Sequence, residues 1–177
     1  LEFDGDRLVR AIPISRDLSR RILRARNADV APTGDRSAEL TLFDSPGGSI
    51  GDAIAISTVI RERKIATSVA SGALCVSSCP IVMAGGVVRT ADKDAVIGVH
   101  QVFNATREKL SPDLAMSEAQ RTTADITRHL DDMGIKPDLW IHAMETPPDR
   151  LYYLSPDEMK EFALVAPAVG VVSRKTK

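Results

Sequence analysis

The chain has 177 residues, 44% of them hydrophobic, a size and content that suit one domain with one core. Its 23 basic and 24 acidic side chains leave a formal charge of −1, with no run of like charge long enough to track nucleic acid or a membrane surface. Every apolar stretch is broken by Ser, Gly, Pro or charge short of the roughly 20 residues a membrane helix needs, so a single domain over residues 1–177 is expected.

In chain order, residues 27–36 are polar and read as a loop. Residues 38–43 alternate apolar and polar, as a half-buried strand does, and run into the turn Asp44-Ser45-Pro46-Gly47-Gly48. A helix follows, with Ile50, Ala53, Ile54, Ser57 and Ile60 at helical spacing; Ser49 with Asp52 resembles a capping box in which Asp replaces the usual Glu. Residues 65–70 are rich in β-branched side chains and read as a second strand, and a strand, helix, strand unit favours a parallel sheet. Residues 71–78 are an unusual run of small side chains and read as a loop. They feed an apolar segment, 79–84, expected to be a buried helix closed by Gly85-Gly86.

Two short strands are expected at 87–90 and 95–99, with Asp92-Lys93-Asp94 between them and His100 directly after the second. Ser111 and Pro112 start a long helix that can run to about Met133 before Gly134 stops it. Pro137 opens a shorter helix carrying Trp140, residues 146–149 break it, and 151–154 read as a strand. Ser155-Pro156-Asp157-Glu158 starts a last helix reaching Phe162, and a closing strand is expected within 164–172. The alternating order predicts an α/β fold with a mainly parallel sheet.

Acyl transfer by a hydroxyl needs a Ser whose proton a positioned imidazole can take, and two N–H donors aimed at the developing oxyanion. Ser77 or Ser78 fits the first requirement, at the opening of a buried helix where backbone N–H groups are unpaired. Gly48, in a turn where backbone approaches closely, offers the other donor, and His100 at a strand end is the candidate base. Cys75 and Cys79 allow either a local disulfide or two buried thiols. Two cysteines without a nearby His do not make a metal site, although Cys79 with His100 would be an alternative nucleophile and base. His129 and His142 fall on predicted helices as solvated or packed side chains, and Trp140 fills the core or a contact between protomers.

Four stretches occur in a telling order: Ser45-Pro46-Gly47-Gly48 with its helix; Cys75-Val76-Ser77-Ser78-Cys79 followed by Gly85-Gly86 and Arg89; Gly98-Val99-His100-Gln101; and Asp149-Arg150 with Leu154-Ser155-Pro156 and Glu158. Together they resemble the proteolytic subunit of Clp protease and its crotonase-fold relatives, above all exported bacterial Clp-like proteins, over residues 38–165. The resemblance implies a crotonase-type fold of repeated β-β-α units and a serine peptidase. It assigns Ser77 as nucleophile, His100 as base, Asp149 as third triad member, and the N–H groups of Gly48 and Ser78 as oxyanion hole. A register shifted by one would make Ser78 the nucleophile. The spacing from Asp149 to Ser155 is longer than in the Clp subunit, which leaves Thr146, Glu145 or a backbone carbonyl as other groups to orient the imidazole.

The same resemblance implies a peptide or protein substrate, no cofactor and no metal, a homo-oligomer, and a periplasmic or otherwise exported location with any signal or anchor ahead of this sequence. No docking element for an unfoldase is recognisable. Two other readings share the fold: an acyl-CoA enzyme, which relies on carboxylates instead of a Ser, and a non-catalytic binding or assembly module, which a Ser77 hydroxyl unengaged with His100 would favour.

Overall fold

The computed structural model describes residues 2–4, 7–9, 14–15, 39–42, 44–104 and 110–166. In chain order the elements are β1 (Glu2–Asp4), β2 (Arg7–Val9), β3 (Glu39–Leu42), α1 (Ile50–Glu62), β4 (Ala66–Val69), β5 (Leu74–Val76), α2 (Cys79–Ala84), β6 (Arg89–Ala91), β7 (Val96–Val99), α3 (Pro112–Asp132), α4 (Asp138–Glu145), β8 (Tyr152–Tyr153) and α5 (Pro156–Glu161). They form two sheets. The larger has the order β1-β2-β3-β4-β6, parallel throughout except for the β1–β2 pair at its edge. The smaller has the order β5-β7-β8, with β5 and β7 parallel and β8 antiparallel to β7.

The helices pack through short apolar stripes. On α1 the buried residues Ala53, Ile56, Ser57 and Ile60 fall three and four apart, on one face. That face meets α2, whose six residues are all buried. The C-terminal half of α3 adds Ile126, His129 and Leu130 to the same core, and Nε2 of His129 lies 2.8 Å from Ser57 Oγ, joining α3 to α1. Thus His129 is packed and hydrogen-bonded.

Two guanidinium groups hold the helix ends. Arg61 donates to the carbonyls of Ala84, Gly85 and Met133, at the ends of α2 and α3. Arg89, 5% exposed, donates to those of Gly86, Ala163 and Leu164. Carbonyls at a helix end have no partner within the helix, so these bonds satisfy groups that would otherwise be buried unpaired. Burial, and then the neighbouring Arg61, hold the Arg89 pKa down at about 10.

Side-chain caps mark the helix starts as expected. Ser49 Oγ accepts the Asp52 N–H at 3.3 Å, Ser111 Oγ accepts the Leu114 N–H at 3.4 Å, and at Ser155 both halves of a capping box form with Glu158. Three expectations shift. The strand placed at 87–90 lies at Arg89–Ala91, the one at 151–154 is only Tyr152–Tyr153, and the small-residue run 71–78 contains β5. Of the closing strand, Ala166 bridges Arg89; residues 167–172, and the loop at 27–36, lie outside the described residues.

Candidate active site

Parallel pairing of β5 with β7 sets Val76 opposite Gly98. The Ser77 N–H continues that ladder, donating to the Gly98 carbonyl at 2.9 Å. Ser77 therefore leaves the C-terminal end of β5 beside the C-terminal end of β7, where His100 follows Val99. In parallel sheets this is the edge at which loops gather into ligand sites.

The chain must turn sharply from β5 into α2, and Ser77 absorbs the turn at φ +63°. A non-glycine residue in that region costs on the order of 1–3 kcal/mol and persists only where its surroundings enforce it. Here they do. A disulfide joins Cys75 and Cys79 across the turn, with Cα atoms 5.2 Å apart, which resolves the choice between disulfide and free thiols. Both cysteines are fully buried.

The segment 45–48 packs against the same turn. Ser45 N–H donates to Leu74 O at 2.6 Å and Val76 N–H donates to Ser45 O at 3.0 Å, adding a bridge at the edge of the small sheet. Gly47, at φ +89°, comes so close that a Cβ there would lie 2.5 Å from Ser77 Cβ and 2.9 Å from the Ser78 nitrogen. On its other side the segment pairs with Ile14, which donates to Gly47 O at 2.9 Å and accepts from Ser49 N–H at 3.0 Å. In a parallel bridge the residue between those two bonds turns its own N–H away from the partner strand. That residue is Gly48. Among the described residues neither the Gly48 N–H nor the Ser78 N–H has a hydrogen-bond acceptor, whereas the amides of Gly47, Ser49, Val76 and Ser77 are all engaged.

Ser77 and Ser78 differ in access. Ser78 is fully buried and its hydroxyl has no partner among the described residues, while Ser77 is half-buried and lines a cleft of about 610 Å³. His100, Asp149, Arg150 and Tyr153 line the same cleft, with Pro46, Val76, Pro148 and Leu151 forming apolar wall. The structure thus brings Ser77, His100 and Asp149 to one opening. No direct hydrogen bond joins the Ser77 hydroxyl to His100.

Nδ1 of His100 lies 2.7 Å from the carbonyl of Gln101. A carbonyl can only accept, so Nδ1 carries a proton, and in the neutral ring the lone pair is then on Nε2. The carboxylate of Asp149 is exposed and makes no hydrogen bond or ion pair to His100. Thr146 Oγ1 donates instead to His142 O at 2.7 Å, and Glu145 lies 3.7 Å from His142 Nδ1. Of the groups expected to orient the imidazole, a backbone carbonyl is the one that meets it.

β8 forms the far wall, with Tyr153 paired to Gly98 and Tyr152 to Val99. The His142 ring stacks on Tyr152 at 4.4 Å, and the Tyr152 hydroxyl donates to Glu158. Hydrogen bonds from Ser155 and then Tyr152 hold the Glu158 carboxyl down at about 2, so this brace under the cleft is ionised at neutral pH. Among the described residues no group of three or more His, Cys, Asp or Glu side chains could hold a metal ion.

Two features escaped the sequence. β5 is three residues inside a run of small side chains, and only its pairing to β7 and Ser45 makes it a strand. The Gln101 carbonyl is a backbone acceptor, for which side-chain identity carries no signal. Comparison of the sequence with protein-family models and with curated proteins returns no match.

Proposed function

We propose that this chain is a serine hydrolase of the Clp-like, crotonase-fold kind that cleaves peptide bonds. The observation that carries the reading is the meeting, in one cleft, of Ser77 on its strained turn and His100 with Nδ1 bonded to a carbonyl, beside the two segments whose Gly48 and Ser78 N–H groups find no acceptor among the described residues. His100 Nε2 takes the proton as Ser77 Oγ attacks the substrate carbonyl carbon. The Gly48 and Ser78 N–H groups donate to the oxyanion of the tetrahedral intermediate. Its collapse expels the amine, which receives that proton from His100, and leaves an acyl-Ser77 ester. Water, deprotonated by His100, then hydrolyses the ester.

The mainly parallel sheet and the α1 crossover between β3 and β4 support the crotonase-type architecture. The buried Cys75–Cys79 disulfide supports an oxidising compartment, consistent with the periplasm. A homo-oligomer is part of the same proposal. One observation favours a second reading: the missing Ser77–His100 hydrogen bond suits a non-catalytic binding module of the same fold. Such bonds often form only once substrate is bound.

The two readings separate on a peptide library digested by the chain and read by mass spectrometry. The hydrolase reading expects new termini from wild type and none from Ser77→Ala. No cleavage by wild type, or equal cleavage by Ser77→Ala, overturns it.

A further inference from the structure

We propose that Gln101 is the positioning residue for His100, acting in the role that an acidic side chain plays in an Asp-dependent triad; this rests on the Ser77–His100 reading above. Three hydrogen bonds converge on it. Its carbonyl accepts from His100 Nδ1 at 2.7 Å, its N–H donates to Thr146 O at 2.9 Å, and its side-chain Nε2 donates to Met144 O at 2.6 Å. Met144 and Thr146 sit at the C-terminal end of α4, where backbone carbonyls lack helical partners. The side-chain amide and the backbone N–H of Gln101 thereby pin this residue, just past the strand end, to the end of a helix.

An imidazole held through the carbonyl of the next residue depends on the plane of the Gln101–Val102 peptide, which the backbone N–H and side-chain bonds of Gln101 restrain by holding its Cα. When the plane is fixed, Nδ1–H is the favoured tautomer and Nε2 is left to take the Ser77 proton. When the side-chain anchor is lost, the restraint on that peptide loosens, the Nδ1 bond weakens, and the tautomer carrying its proton on Nε2 gains population. That tautomer cannot act as base towards Ser77. A wrong tautomer costs a Ser-His-Asp triad as much as about 10⁴ in rate; with one of two anchoring bonds left, a loss of about ten- to a hundred-fold is expected. The loss falls on the chemical step, because Gln101 is not among the residues lining the cleft.

The test compares wild type, Gln101→Met, which keeps length and loses the donor, and Gln101→Lys, which keeps a donor within reach of Met144 O. Two readouts are taken: fluorophosphonate labelling of Ser77, resolved into the maximal inactivation rate and the half-saturating concentration, and the 15N shifts of the His100 ring. Only three histidines need assignment. Expected are a ten-fold or greater fall in the inactivation rate for Gln101→Met at an unchanged half-saturating concentration, restoration of most of it by Gln101→Lys, and a parallel shift away from the Nδ1–H tautomer in Gln101→Met alone. Asp149→Asn should cost less than Gln101→Met. An unchanged tautomer in Gln101→Met, an unchanged inactivation rate, or a larger loss in Asp149→Asn overturns the proposal. If wild type is not labelled at Ser77, the hydrolase reading fails, and the tautomer measurement still decides the role of Gln101.

Discussion

Breaking the Cys75–Cys79 disulfide should disable the Ser77 turn well before it unfolds the protein. The bridge spans a sequence separation of four, and closing a loop of about five residues in the unfolded chain corresponds to about 2 kcal/mol of stabilisation. For a chain of this size that loss lowers Tm by about 4–8 °C. Holding Ser77 at φ +63° costs on the order of 1–3 kcal/mol, so the bridge contributes about as much as the turn requires. Weakening the turn by 2 kcal/mol changes its equilibrium about thirty-fold, whereas the core built on Ile56, Ile60, Ile81, Met83 and Ile97 keeps its packing. The assay is fluorophosphonate labelling at 25 °C of oxidised wild type, wild type reduced by dithiothreitol, and Cys75→Ala/Cys79→Ala, with circular dichroism to verify the fold. Reduced wild type retains both sulfur atoms and so separates loss of the bond from the voids that truncation leaves. Reduction needs long exposure or mild denaturant, since both cysteines are fully buried. The expected result is labelling slowed about ten-fold or more in a folded protein. Reduced protein labelling within about two-fold of the oxidised form would refute the assignment of the bridge as what holds the turn.

Two further perturbations probe the surroundings. Gly47→Ala places a Cβ 2.5 Å from Ser77 Cβ at φ +89°, against backbone that cannot yield cheaply; denaturant titration should show a loss of about 2 kcal/mol or more, with Ser77 labelling reduced beyond that of Gly51→Ala, where nothing lies near. His129 is held below its ordinary 6.5 first by burial and then by Arg61, against an opposing effect of Asp132. The unfolded chain therefore takes up a proton at higher pH than the folded one, so stability is full above pH 6.5 and falls as pH drops from there towards the folded-state value. Urea midpoints at pH 7.5 and 5 should separate more in wild type than in His129→Gln, and equal separation would contradict it.

What was legible in the sequence was whatever is local. Helix starts at Ser49, Ser111 and Ser155 carry their own caps, and the six residues of α2 are apolar in an otherwise mixed chain, so those elements lie close to where periodicity puts them. Ser77 and Ser78 are the same residue type in adjacent positions, and nothing local separates them. The turn does, by sending one side chain to the cleft at φ +63° and the other into the core. Asp149 reaches the cleft, but which group meets His100 Nδ1 depends on how the end of α4 docks against Gln101, a contact across 43 residues of sequence. Backbone acceptors and three-residue strands such as β5 are products of tertiary pairing and leave no pattern to read.

The most direct test of the central claim is the site of a fluorophosphonate adduct, located by tandem mass spectrometry of the digested protein. The account predicts one adduct, on Ser77, absent in Ser77→Ala and in His100→Ala and retained in Ser78→Ala. An adduct on Ser78, or labelling that survives Ser77→Ala, would contradict it.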